Sequence, residues 1–293
     1  MYSPDDYEIM SEINSVACVT AISLILGRKV ASIDGPIYYV RGLLLAMYSL
    51  TLAFDIIACM LVSTNNGNYI SCSLGFFNCI FIYTFAKLAL YLYFVEKIYI
   101  LSIPKVIRQR SPVYWIGVGL LVPYIGLMIL MILNRVTEVA TEKPFHCTFG
   151  FKLPGSIPVL SYDCFITLLC TAIFVKAYAF PNMAQQTTPQ ASSIKVMAKR
   201  NIVGSIVACI TATINYTVMI VLQGQERGLL ALSIATLDIT IVSCVIHWVT
   251  ATSAELQYVQ TVLNKGSLDK PMKLEIKQHQ EVVVLTELNS NKL

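Results

Sequence analysis

The stretch Tyr69-ISCSLGFFNCIFIYTFAKLALYLYFVEKIYILSIPKVIRQ-Arg110 decides the class of this chain. From Tyr69 to Val95 it carries a single charge, Lys87, and then breaks into an adjacent acid and base, Glu96 and Lys97. Lys105, Arg108 and Arg110 follow. A hydrocarbon core of ~30 Å takes about 20 apolar residues in a helix. The apolar run is longer than that, so it reads as a membrane span.

The same test, carried outward, finds Leu43–Val62, Val113–Leu133, Leu153–Val175, Ile202–Leu222 and Gly228–Ala254, each with at most one charge. Composition agrees: 56% of the residues are hydrophobic and 13% charged, about half the charged share of a soluble domain. A seventh candidate, Ile13–Gly27, is shorter and follows Glu8 and Glu12. Its leading segment, MYSPDDYEIMSE, is acidic, whereas a signal peptide opens on basic residues. Extended outward through Tyr7 it becomes a first span; if it only lies on the surface, six spans remain. The alternating pattern of an outer-membrane barrel is absent. The expectation is an all-α bundle over residues 1–254, with helices near 7–27, 43–62, 69–95, 113–133, 153–175, 202–222 and 228–254. A polar tail, 255–293, follows. It is expected to be solvated and disordered, although EVVVLTEL at Glu281–Leu288 suits a strand if a partner supplies an edge.

Orientation follows from the basic residues, which favour the cytoplasmic side. With the N-terminus outside, the inner segments hold Arg28, Lys29, Arg41, Lys105, Arg108, Arg110, Lys176, Lys195, Lys199 and Arg200. The outer loops hold Arg135, Lys143, Lys152 and Arg227. Ten against four puts the C-terminus in the cytoplasm. The inner loop around Pro181 and Pro189 closes on Lys195, Lys199 and Arg200. Lys195 and Lys199 share a face if the sixth helix begins early. Glu96 and Lys97, at the inner end of the third span, serve either as an interfacial anchor or, with those three residues, as a cytoplasmic coupling element.

Asp55, Lys87, Asp163 and Asp238 lie within apolar runs. Ionisable side chains there are costly in lipid and face the bundle interior. They serve either as structural ion pairs or as a ligand or ion site, and Lys87 with Asp238 is the pairing expected to meet across the bundle. Asp163 and Asp55 are the alternative partners. Histidine is too scarce, at His146, His247 and His279, for the several intramembrane ligands of a zinc hydrolase. Gly228–Ala254 has no lysine for a retinal Schiff base. No catalytic constellation, metal set, cofactor motif or nucleic-acid signature is present, so no enzyme activity is expected.

Cys72 opens the third span on the outside, and Cys147 lies in the outer loop EKPFHCTFGF; an outer thiol pair can oxidise. With Glu96-Lys97-Ile98 closing the same helix, and Leu52-Ala-Phe-Asp55 in the second, the chain resembles the rhodopsin-like G-protein-coupled receptors. In that family a cysteine at the outer end of helix three bonds the second outer loop. An acid-Arg-Tyr motif ends the same helix, and helix two carries Leu-Ala-x-x-Asp. The resemblance implies a Cys72–Cys147 disulfide, with Cys79 the competing thiol, and Trp115 fits loosely in helix four. Lys97 stands where the family has Arg, helix six lacks Cys-Trp-x-Pro, and helix seven ends CVIHWVT without Asn-Pro-x-x-Tyr. The chain also resembles orphan fungal seven-helix membrane proteins, in which an acid-basic pair ends helix three and HWVT ends helix seven. The resemblance implies a plasma-membrane receptor for an unknown extracellular ligand. Its partners would be the lipid bilayer and a heterotrimeric G protein or other cytoplasmic effector. A transporter or channel using the four intramembrane charges is the alternative, and a non-signalling scaffold the third.

Overall fold

A computed structural model describes residues 6–31, 39–64, 69–102, 111–139, 147–180, 191–222 and 228–251. The tail at 255–293, the loop at 181–190, and Lys105, Arg108, Arg110, Lys143 and Arg227 lie outside the described residues. Seven helical segments are long and apolar enough to cross a membrane: Asp6–Ala31, Tyr39–Val62, Tyr69–Leu101, Pro112–Leu133, Leu153–Ala179, Ile194–Leu222 and Gly228–Thr250. These are spans one to seven, and they make the chain a multi-pass helical membrane protein. Spans three and seven are the most buried, and spans one and four the least. Span four turns Ile116, Ile125, Ile129 and Leu133 outward, a face suited to lipid because the helix already satisfies its own backbone.

Span one belongs to the bundle. Asn14 donates to the Ser233 hydroxyl at 2.9 Å and to the Ser233 carbonyl at 3.0 Å. The Ser11 hydroxyl reaches the Leu229 carbonyl at 3.4 Å, so two turns of span one are tied to span seven. A helix lying on the surface would not bury Ser15, Cys18 and Ile22 as this one does.

Span three is interrupted by a π-turn at Asn78–Ile82. One extra residue in a turn offsets the following face by about 100°. The turn is stitched to span two, where Asn78 Nδ2 donates to the Phe54 carbonyl at 3.3 Å. Beyond it the helix Tyr83–Ser102 continues past Glu96 and Lys97, which apolarity alone placed at its end. Span six likewise starts earlier than its apolar run, because its helix begins at Ala191. Ile194, Met197 and Ala198 are buried, an amphipathic spacing that mean apolarity overlooks among lysines and serines.

Span four comprises two helices, Pro112–Gly119 and Pro123–Leu133. Proline has no N–H to continue the ladder, and the chain tightens into three-residue turns there, Val122 N–H to the Gly119 carbonyl and Tyr124 N–H to the Leu121 carbonyl. The Leu120 carbonyl, passed over by Tyr124, accepts the Tyr162 hydroxyl of span five at 2.5 Å.

Between spans four and five the chain forms an antiparallel hairpin, β1 Arg135–Val139 with β2 Cys147–Phe151, in the register Arg135 to Phe151 and Val139 to Cys147. Cys147, Phe149 and Phe151 alternate along β2 and are all buried, so one strand face lies on the bundle. Cys147 is disulfide-bonded to Cys72 at the top of span three, with Cα atoms 5.8 Å apart. Cys79 is buried and takes no part in that bond.

Candidate functional site

Beyond the π-turn, Tyr83, Lys87 and Tyr91 recur every four residues, so they stand above one another on one face of span three. Each is buried, and each meets a polar group from another span. Lys87 Nζ lies 2.9 Å from Asp238 Oδ2 and 3.2 Å from Oδ1. The Tyr83 hydroxyl donates to the same carboxylate, and Asn215 of span six donates to the Tyr83 oxygen at 2.9 Å. One helical turn below Lys87, the Tyr91 hydroxyl donates to Asp163 Oδ1 of span five. The Tyr124 hydroxyl of span four donates to that oxygen at 2.8 Å. Span three thus holds residues from spans four, five, six and seven through a single stripe.

Asp163 and Asp238 are each almost wholly enclosed. Desolvating a carboxylate costs several kcal/mol, and a close cation with further hydrogen bonds offsets it. Asp238 receives both kinds of partner, while Asp163 receives two phenols and, more distantly, the charge of Lys87. The second Asp163 oxygen, Oδ2, has no hydrogen-bond partner among the described residues. Tyr91 and Tyr124 stack at 5.7 Å between ring centroids, and Tyr162 meets Tyr124 edge-on at 5.3 Å. Those rings fix the two donors in place.

Asp55 does not join this stripe. It lies between spans two and seven, where Oδ2 accepts the Thr240 hydroxyl at 3.1 Å and Oδ1 has no hydrogen-bond partner among the described residues. Thr51 and Ser243, 3.2 Å apart, stand one turn inward along the same two helices. They and Lys87 line a cavity of about 10 Å³, room for one water molecule.

Glu96 and Lys97 are enclosed by the chain itself. Both are buried, because the helix runs to Ser102 and neighbouring elements cover its inner turns. Lys97 lies 5.4 Å from the centre of the Tyr93 ring, and the Tyr93 hydroxyl donates to Asn201 of span six at 3.2 Å. In this packing the pair is no docking surface. Lys195 and Lys199 do share an exposed face of the helix that opens span six. Arg200 reaches across to span seven, stacking 4.8 Å from the Trp248 ring centre and donating to the Trp248 carbonyl at 3.2 Å.

The sequence alone does not single out Tyr83, Tyr91 and Tyr124. Tyrosines in an apolar run carry little information individually. The four-residue spacing of Tyr83 and Tyr91 on either side of Lys87 was the available signal. No protein-family model and no curated protein matches this chain.

Proposed function

We propose that the protein is a plasma-membrane receptor resembling the rhodopsin-like type, with its N-terminus outside. In this reading it carries no enzyme activity and transmits an extracellular signal to a heterotrimeric G protein or another cytoplasmic effector. The observation that supports this best is the span-three stripe. Tyr83, Lys87 and Tyr91 hold acids of spans five and seven at once, so altering one contact biases the position of several helices. That is the arrangement a switch between two packings requires. At the cytoplasmic end, Tyr93–Asn201 and Arg200–Trp248 hold span six against spans three and seven, and both contacts must open for a cleft to form. A ligand that weakens the Lys87–Asp238 pair shifts the balance toward the open packing.

The test uses the full chain in lipid nanodiscs and a panel of nucleotide-free Gα subunits. Lys87→Met should raise ligand-independent binding of one Gα class several-fold over the native protein. Absence of binding by every class, native or variant, would remove the G-protein reading.

A transporter remains the second reading, favoured by Asp55 Oδ1 and Asp163 Oδ2, buried carboxylate oxygens within the spans that have no hydrogen bond among the described residues. Such oxygens suit a transported cation. Proteoliposomes that accumulate a monovalent cation, and lose the ability with Asp163→Asn, would establish it.

A further inference from the structure

Spans five and six are joined along a stripe of short polar side chains. Ser205, Cys209 and Thr213 recur every four residues along span six, so they share one face of it. The first and last of them touch span five directly. The Thr171 hydroxyl lies 2.9 Å from that of Ser205, and the Cys164 sulfur lies 3.4 Å from the Thr213 hydroxyl. Cys209 therefore stands on the seam between two contacts. Side chains this short meet only where two backbones run close together. The Thr213 hydroxyl commits its one hydrogen to the Cys209 carbonyl at 2.7 Å, so Cys164 is the donor in the other contact. That holds the Cys164 thiol over the turn that carries Cys209, and the Cys209 thiol is its direct side-chain neighbour. Neither sulfur is in a disulfide, and both residues are half-buried. They border a face where Phe165, Leu168, Ile206 and Ile210 are exposed. In a membrane protein that face meets lipid, so the pair is reached from the bilayer rather than from water.

We propose that Cys164 and Cys209 form an oxidisable thiol pair whose oxidant is a lipid hydroperoxide, and that the resulting disulfide staples span five to span six. The first thiol attacks the terminal oxygen of the hydroperoxide. The O–O bond breaks, the thiol proton passes to the departing alkoxide, and a lipid alcohol and a sulfenic acid remain. The second sulfur then attacks the sulfenic sulfur. The S–S bond forms, and the second thiol proton leaves with the hydroxyl group as water. Two thiols have then lost two electrons to one peroxide. A disulfide needs Cα atoms about 4.4–6.8 Å apart, a spacing that suits helices whose Ser, Thr and Cys side chains touch. Once formed, the bond makes spans five and six one unit, so span six no longer moves without span five. The pair stands on the packing alone and uses no part of the receptor reading.

The experiment uses the full chain in lipid nanodiscs, with phosphatidylcholine hydroperoxide in the bilayer as the probe and the unoxidised lipid as the control. Non-reducing peptide mapping should recover Cys164 linked to Cys209 only in the peroxide-containing discs, and dithiothreitol should return both as alkylatable thiols. The oxidised protein should melt several degrees higher than the control, a gain that Cys209→Ser in the same discs does not show. Both positions alkylated after exposure, a link from either one to another cysteine, or sulfonic acid at either one without a link would each overturn the proposal. An equal rise in Tm for native protein and Cys209→Ser would overturn the staple. The mapping needs no variant, so it decides the question even if Cys209→Ser fails to fold. No effector or extracellular ligand enters either readout, so a failure to bind any Gα leaves both interpretable.

Discussion

Removing the ammonium of Lys87 leaves Asp238 inside the bundle with the Tyr83 hydroxyl but no cation at its side. Removing Asp238 leaves a buried ammonium. Either single loss costs about 3–5 kcal/mol, whereas exchanging both partners for apolar groups is milder. In thermal unfolding, Lys87→Met and Asp238→Leu should each lower Tm more than the double variant does, and strictly additive losses would mean the pair does not couple. Asp163 calls for the opposite pattern. Tyr91 and Tyr124 donate to the same oxygen, so Tyr91→Phe or Tyr124→Phe alone leaves one donor. Losing both strands the carboxylate, and leaving a buried acceptor unsatisfied costs about 1–3 kcal/mol. The double tyrosine variant should therefore lose more stability than the sum of the two singles, and a sum or less would place the two hydroxyls in unrelated roles.

Among the elements, spans three and four pack tightly at Gly117, where an added Cβ would lie 2.6 Å from Val95 Cγ1. Gly117→Ala should cost about 1–3 kcal/mol by overpacking. Val95→Ala in the same chain should recover part of that loss in the same melting assay; no recovery would mean the strain lies elsewhere. The seven elements were legible in the sequence because lipid imposes one length on every span, and apolar runs such as Tyr69–Val95 report that length directly. Their ends were not. Ala191–Arg200 is helical through burial of one face, and helix three outlasts Glu96 because neighbouring spans cover a charge pair that lipid would not. The β1–β2 hairpin gave no sequence signal, since its strands are short and shaped by the Cys72–Cys147 tether and by the bundle beneath. Of the site, the charges were legible because a charge in an apolar run is rare. The hydroxyls that serve them were not, because tyrosine is at home both in a span and in a hydrogen-bond network.

The whole molecule has chemically different ends. Arg28 and Lys29 close span one, Arg41 opens span two, Lys176 lies near the end of span five, and Lys195, Lys199 and Arg200 open span six. With alternating spans these all fall at one end, as the positive-inside tendency requires of a cytoplasmic face. The opposite end holds the hairpin, Arg135, Lys152 and the Cys72–Cys147 bond. Disulfides persist in oxidising compartments and rarely in the cytosol, so cystine and basic residues argue independently for one orientation. An epitope before Tyr2 should react with antibody on intact cells, and one after Leu293 only after permeabilisation. Non-reducing peptide mapping should recover Cys72 and Cys147 linked, and Cys147→Ser should cost roughly 2–4 kcal/mol by freeing the outer loop. The two measurements constrain each other. A C-terminal epitope exposed on intact cells would place the cystine in a reducing compartment, where the bond would not survive. If the bond were nevertheless recovered from such cells, both orientation arguments would fail together. If the epitopes instead fall as expected and both thiols are found free, the orientation stands on charge alone, and the hairpin loses its tether to span three.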